Sequence, residues 1–302
     1  MPELPEVQTV VSDLNKKIVN KTVASVWLDW PKMIKDPLSQ SKTNVSKTAV
    51  NFFLENIVGK KVIGARRVAK NILIDLTDGY LLLIHQKMTG HLLTGRWRIE
   101  KKGVVALEPE SVVKDKYNGY IHLIITFSDG SMLALSDLRK FAKVLFGKKE
   151  VIEGLTEITN LGPDALDPKL NFKRFENILS KQSRKIKTVL LDPKVIAGVG
   201  NIYSDDILWQ AGIHPEAKPV ELSSLQLRRV YKAMKSILKK AVKLRGTSTS
   251  DFRDTDGLKG GYTEYRRVYG RENLPCYRCK NLIKRIKIGG RSAHFCPICQ
   301  QW

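Results

Sequence analysis

The chain has 302 residues, with 52 Lys and Arg against 30 Asp and Glu, for a formal net charge of +22 and a pI near 9.8. So positive a field excludes an ordinary enzyme of small neutral metabolites and points to a polyanion, with nucleic acid as the default and an anionic membrane surface as the rival. The 42% hydrophobic and 27% charged fractions exclude wholesale disorder, and the longest apolar runs, such as Leu81–Ile84, are strand-sized and far short of the roughly 18 residues of a membrane span.

Pro5 is a good first helical residue, and Val7, Val10, Val11, Leu14 and Ile18 follow at helical spacing, which predicts an amphipathic helix almost at the start of the chain. Val23–Trp30, Val62–Val68, Ile72–Thr77, Tyr80–Gln86, Tyr120–Phe127 and Met132–Ser136 read as strands, with Asp78-Gly79 and Asp129-Gly130 as hairpin turns and a flanking helix around Val45–Val58. From about residue 150 the pattern turns helical, at Phe172–Leu179, Ser183–Leu191, Ile202–Ala211 and the basic Ser223–Leu244. Gly246–Gly261 reads as a mobile polar loop. The charged stretch Arg96–Lys116 receives no role. At this length two domains are expected, and Met1–Glu6 has neither the basic nor the apolar region of a secretory signal, so an intracellular protein is expected.

Two features carry chemistry by themselves. Cys276-x2-Cys279 and Cys296-x2-Cys299 have the pattern of a four-cysteine zinc ribbon, in which each turn brings two thiolates to one metal ion; such a zinc usually folds a small module and performs no reaction. At the other end, the initiator Met is commonly removed before Pro, which would leave Pro2 as a free secondary amine. The positive end of the first helix favours the neutral amine, and a neutral secondary amine attacks an aldehyde-level carbon to form an iminium. Glu3 is then a candidate general acid or base, and Glu6 a candidate helix cap or sugar-hydroxyl ligand.

Taken in order, Met1–Val7 (MPELPEV), Ala69-Lys70 before a strand, His85-x2-Met88-x-Gly90, Asp137–Phe141 (DLRKF), Gly198–Tyr203 (GVGNIY) and the cysteine ribbon resemble the formamidopyrimidine-DNA glycosylase family, which includes the endonuclease VIII-like enzymes. The resemblance implies an α+β protein: an N-terminal antiparallel β-sandwich with flanking helices over 1–150, a helix-two-turn-helix domain over 151–262 with a lesion-capping loop at 246–261, and a zinc ribbon over 263–302. It implies a base-excision repair enzyme, glycosylase and AP lyase, that removes oxidised purines from damaged double-stranded DNA and cuts by β,δ-elimination through a Schiff base on Pro2. Leu138, Lys140, Ala142 and Gln86-Lys87 depart from the family's common residues without removing a catalytic group.

Residue by residue, the resemblance makes Pro2 the nucleophile, Glu3 the acid/base, Lys70 a proton-transfer and phosphate group, and Arg291 the ribbon arginine that holds phosphates. Glu6, Met88, His122, Arg139, Phe141, Lys187 and Asn201 become substrate or DNA contacts, with Met88, Arg139 and Phe141 filling the hole left by an extruded base. Read alone, Met88 and Phe141 are also core candidates, Arg139 a surface charge, Lys70 a strand-edge lysine, Asn201 an N-cap and His122 a core histidine. One structural zinc, no redox cofactor, no membrane, no obligate protein partner, a monomer, and a cytoplasmic, nucleoid-associated bacterial setting complete the expectation. The rivals are an endonuclease VIII-like glycosylase for oxidised pyrimidines and a catalytically silent zinc-ribbon DNA-binding protein.

Overall fold

In a computed structural model, which describes residues 1–38, 46–101, 103–249 and 251–302, helix α1 (Leu4–Lys17) begins beside the predicted proline. Its apolar stripe of Val7, Val10, Val11, Leu14 and Ile18 is buried in the main core; each such side chain contributes about 1.5–3 kcal/mol by leaving water. On another face the Asn15 amide bonds both backbone groups of Ala65, at 2.7 and 2.9 Å.

The strands run β1 (Val23–Leu28), β2 (Ile34–Lys35), β3 (Val62–Val68), β4 (Asn71–Leu76), β5 (Tyr80–His85), β6 (His91–Glu100), β7 (Gly103–Glu108), β8 (Ile121–Phe127), β9 (Met132–Ser136) and β10 (Lys143–Lys148). Helix α2 (Lys47–Ile57) precedes β3, α3 (Glu110–Lys114) precedes β8, and α4 (Lys149–Glu153) and α5 (Thr156–Thr159) follow β10. The predicted α2 thus stands, with Val45 outside the described residues. Two five-stranded sheets form, in the orders β1-β8-β9-β6-β7 and β2-β10-β5-β4-β3. Pairing is antiparallel except for β2 with β10, a departure from the wholly antiparallel expectation.

Alternation explains the layers. Ile72, Ile74 and Leu76 of β4 point into the core shared with Leu123, Ile125 and Phe127 of β8, while Leu73 points the other way, into a second cluster with Leu81, Leu83, Leu145 and Ile152. The sequence reading omitted β2, β6, β7 and β10. Arg96–Lys116, unassigned there, supplies the outer end of β6, all of β7 and α3, with Lys102 outside the described residues. Most of its side chains are exposed on an edge strand, so no clean apolar alternation marks it.

The described residues fall into two units, Met1–Thr159 with Arg245–Gly261, and Asn160–Leu244 with Tyr262–Trp302. The segment placed by sequence in the helical domain therefore joins the β unit. It is also packed instead of loose: Thr247, Phe252, Arg253, Asp254 and Thr255 are buried, with Ser250 outside the described residues. Its anchors are ionic, since the Arg245 guanidinium reaches Asp13 of α1 at 2.6 Å and Asp254 at 2.8 Å.

The second unit holds α6 (Phe172–Leu179), α7 (Ile186–Leu191), α8 (Asn201–Ala211) and α9 (Ser224–Lys243), then the ribbon hairpin β11 (Lys284–Ile288) and β12 (Arg291–Phe295). Helix α9 starts at a Ser223/Gln226 capping box and buries Leu227, Val230, Met234, Ile237 and Leu238 on one face. Ribbon and helices interlock through Asp205 of α8, which accepts from the His294 backbone N–H at 2.9 Å and from the Lys187 ammonium at 2.5 Å. No helix among the described residues is long and apolar enough to cross a membrane.

Lys187 and Asp205 are fully buried, and removing one partner of a buried pair leaves an uncompensated charge. Lys187→Met should therefore lower stability by about 3–5 kcal/mol in denaturant titration. A loss below about 1 kcal/mol, the range of exposed pairs, would show that the ammonium does not hold this unit together.

Candidate active site and metal centre

Pro2 and Glu3 are buried against the first turn of α1. The Glu3 backbone N–H donates to Glu6 Oε2 at 2.8 Å, and the Thr247 N–H donates to Glu6 Oε1 at 2.6 Å. Of the two roles open to Glu6 the structure shows the capping one: its carboxylate is 1% exposed and accepts from the backbone at the start of α1. Gly246, at φ +81, permits this approach, because a Cβ there would lie 2.7 Å from Glu6 Oε1. Burial lowers the pKa of the terminal amine on Met1, which Glu3, Glu6 and Asp251 oppose and Lys70 assists.

Lys70 occupies the tip of the two-residue β3–β4 turn, after Ala69 at φ +54. Two residues missed by the sequence reading hold that tip: Arg67 donates to the Ala69 carbonyl at 3.0 Å and to Gln8 Oε1 of α1 at 3.0 Å. The hairpin carrying Lys70 is thereby tied to the helix carrying Pro2.

Met88 and Phe141 are exposed, which removes the core alternative for both, and the Arg139 guanidinium stacks 4.6 Å from the centre of the Phe141 ring. Their two loops are joined underneath by Asp137, which is fully buried. It accepts from the Thr89 hydroxyl and, at 2.6 Å, from the Ala142 N–H, while Thr89 Oγ1 accepts the Arg139 N–H at 3.0 Å. Asp137 stood inside the sequence motif without a role; its lack of exposure, invisible in sequence, supplies one.

His122 is buried, with Nδ1 2.8 Å from Asp29 Oδ1 and Nε2 without a partner. The fully buried Lys187 ammonium bonds Asp205 and, at 3.1 Å, the Asn201 carbonyl, so it positions the start of α8. Asn201 is the first residue of α8, whose N-cap is Gly200, so Asn201 is not the cap itself. Its Nδ2 donates to Ser292 Oγ at 3.4 Å, and its Oδ1 is buried without a partner.

Arg291 opens β12 after a Gly289-Gly290 turn with both residues at positive φ, and is exposed with no carboxylate partner among the described residues. The ribbon beneath it is a metal centre. The sulfurs of Cys276, Cys279, Cys296 and Cys299 all lie within 4.8 Å of one another, the spacing one zinc ion requires with sulfurs about 2.3 Å away. Against burial, N–H groups of Cys279, Trp209 and Arg278 lower the Cys276 thiol's pKa, while burial and the neighbouring thiols raise those of Cys296 and Cys299. The Trp209 indole donates to the Cys276 sulfur at 3.3 Å. Four cysteine thiolates would fill the tetrahedral shell of one zinc ion and leave no open position for chemistry, so the zinc would be structural.

With this geometry in view, residues 1–144 match the formamidopyrimidine-DNA glycosylase N-terminal domain, 161–253 its H2TH domain, and 273–301 the zinc finger found in FPG and IleRS. The formamidopyrimidine-DNA glycosylase of Pelotomaculum thermopropionicum is 34% identical over 301 residues, covering 100% of this chain and 99% of the relative. The chain belongs to the formamidopyrimidine-DNA glycosylase family. The glycosylase of Listeria innocua is 35% identical over 301 residues, with 100% of both chains covered. Among solved structures, Lactococcus lactis Fpg bound to abasic-site DNA gives a TM-score of 0.83 at 29% identity. The same enzyme with N7-benzyl-Fapy-dG DNA gives 0.82 at 30%, each covering 100% of both chains. The family places this chain among the DNA glycosylases and bears out the α+β architecture and the zinc ribbon.

Metal analysis should find about one zinc per chain, and chelation should unfold the β11–β12 hairpin and weaken DNA binding; full DNA affinity in a zinc-free, folded protein would contradict the mounting role of the ribbon. A second measurement concerns His85, whose imidazole burial, with Lys87, Lys143 and Lys70, pushes down from 6.5 to about 3. The folded state resists a proton that the unfolded state accepts, so this stabilisation is complete above pH 6.5 and is lost as pH falls toward 3. Urea unfolding should show stability falling by up to about 1.4 kcal/mol per pH unit in that window, flattened in His85→Asn. Equal slopes in the two proteins would refute it.

Proposed function

We propose that the chain excises 8-oxoguanine and formamidopyrimidines from duplex DNA and cleaves the resulting abasic site by β,δ-elimination through a Schiff base on Pro2. The observation that carries this reading is the setting of the N-terminal amine, whose pKa is lowered by burial and which lies within electrostatic reach of Glu3 and Lys70. With Met1 removed, the terminal amine would be that of the buried Pro2, where burial disfavours the charged form and so favours the nucleophilic one.

The amine attacks C1′ and the bond from C1′ to the damaged base breaks, the base departing with a proton. The sugar ring opens to an iminium, with Glu3 as the group that moves protons to and from the ring oxygen. Loss of a C2′ proton expels the 3′ phosphate, a second elimination expels the 5′ phosphate, and water then releases Pro2 from the sugar remnant. Lys70 and Arg291 supply positive charge where those phosphates leave. Met88, Phe141 and Arg139 offset unstacking by occupying the vacated space, a task suited to an exposed apolar wedge carrying a stacked guanidinium. The segment 246–261, joined to α1 through Glu6, is the cap over an extruded purine. The partner is damaged double-stranded DNA, which the relatives of known structure hold as abasic-site and Fapy-dG duplexes.

Borohydride should trap a covalent adduct on an 8-oxoguanine duplex, mapped by mass to the Pro2 peptide. An extra uncleaved residue before Pro2, which turns the amine into an amide, should abolish it, and Glu3→Gln should slow excision by at least about a hundredfold. Absence of any adduct despite normal DNA binding would overturn the enzyme reading, and preferential trapping on an oxidised pyrimidine would move the chain to endonuclease VIII-like specificity.

A further inference from the structure

The segment proposed as a cap packs against the stretch that the sequence left without a role and the turn that follows it. Arg253 is 2% exposed and donates through Nε to Asp115 Oδ2 at 2.5 Å. Ser111 Oγ donates to the Asp256 carbonyl at 2.5 Å. Asn118, fully enclosed, lies 3.1 Å from His91 Nε2 of β6 and also donates to the Ser111 and Val112 carbonyls, at 3.3 and 3.4 Å, so it fixes α3 to the sheet. Gly257 then lies flat on this platform: at φ +76, a Cβ there would stand 2.7 Å from Asn118 Nδ2 and 3.0 Å from Val112 Cγ2.

The grip has a second side. Thr94 of β6 donates from its backbone and its hydroxyl to the Thr255 carbonyl at 2.8 and 3.0 Å, the Thr255 hydroxyl donates to Asp13 at 2.9 Å, and Lys17 pairs with Asp256 at 2.5 Å. Residues 253–257 are therefore clasped between α1 and the platform of residues 109–119. A segment without helix or strand of its own gives up conformational entropy whenever it orders over a ligand, which weakens binding unless the order exists beforehand.

We propose that Asp115, Ser111 and Asn118 are positioning residues that preset this cap in the DNA-free protein, so that excision of an oxidised purine begins from an ordered cap. The proposal rests on the reading of 246–261 as a cap over the extruded base. The cap has work to do only while a base is present; an abasic site offers it nothing to hold. Loss of the clasp should then separate two activities of the same catalytic centre, whereas a general loss of structure would lower both.

The test uses the full-length zinc protein with Asp115→Asn and, as a milder variant, Ser111→Ala. Hydrogen exchange in DNA-free protein should speed up by about tenfold over residues 251–258, the unit of local opening expected if the clasp holds it. Single-turnover excision of 8-oxoguanine should slow by about five- to tenfold, with cleavage of a preformed abasic site within about twofold of the parent, the split that marks a base-specific contribution. Unchanged exchange in both variants would overturn the clasp. Faster exchange with excision and abasic cleavage unchanged, or reduced together, would overturn its part in the reaction. If the parent excises no purine lesion, the proposed function fails, and the exchange measurement still decides whether the clasp exists.

Discussion

Two buried carboxylates on one helix govern the β unit. Glu6 and Asp13 stand seven residues apart on α1, two turns along the same face, and neither can remain buried without donors. Their donors come from the far end of the sequence: the Thr247 N–H for Glu6, and the Arg245 guanidinium and Thr255 hydroxyl for Asp13. Because Glu6 also accepts the Glu3 N–H, one carboxylate fixes both the entry of the chain into α1 and the segment proposed to cover the lesion. Satisfying these acids thus brings the surroundings of Pro2 and the proposed cap into a single arrangement.

The same economy of partners separates the positive charges that can act on DNA from those that cannot. The formal charge of +22 is a whole-chain sum. Lys187 adds to it in composition and, paired with Asp205 in a dry interior, adds little outside. Arg253 is likewise neutralised by Asp115. Arg139 and Arg291 have no carboxylate of their own among the described residues, and each sits on a stiff mount: the Asp137–Thr89 joint for Arg139, the metal-bound ribbon for Arg291. A long side chain on a fixed backbone loses less entropy on binding, so mounting matters as much as charge.

Among the described residues Gln86, Trp97, His122 and Asn201 have buried side-chain polar atoms without a partner, and two of these residues adjoin proposed DNA-facing parts. Gln86, next to the Met88 loop, has both side-chain polar atoms buried and unmet, and Asn201 has a buried unmet Oδ1 at the start of α8. Such groups destabilise a protein standing alone, and both lie beside elements the family reading assigns to DNA.

Much of this protein was legible one residue at a time. Period-two and helical apolar patterns located most strands and helices, because burial of one face imposes that rhythm; the cysteine spacing determined the metal centre, because two CxxC turns suffice to surround one ion; and ordered short motifs carried the family. What sequence could not decide were the facts set by partners distant along the chain. Nothing in the sequence set Asp205 beside Lys187 or Asp29 beside His122. Arg67 and Asp115 had no reading of their own, and Asp137 no role within its motif, until the turn, the paired loops and the proposed cap that they hold came into view. A side chain's type and local rhythm are written in the sequence, but whether a charge faces solvent or a partner depends on packing between residues as much as 242 positions apart, and the tertiary structure alone decides that.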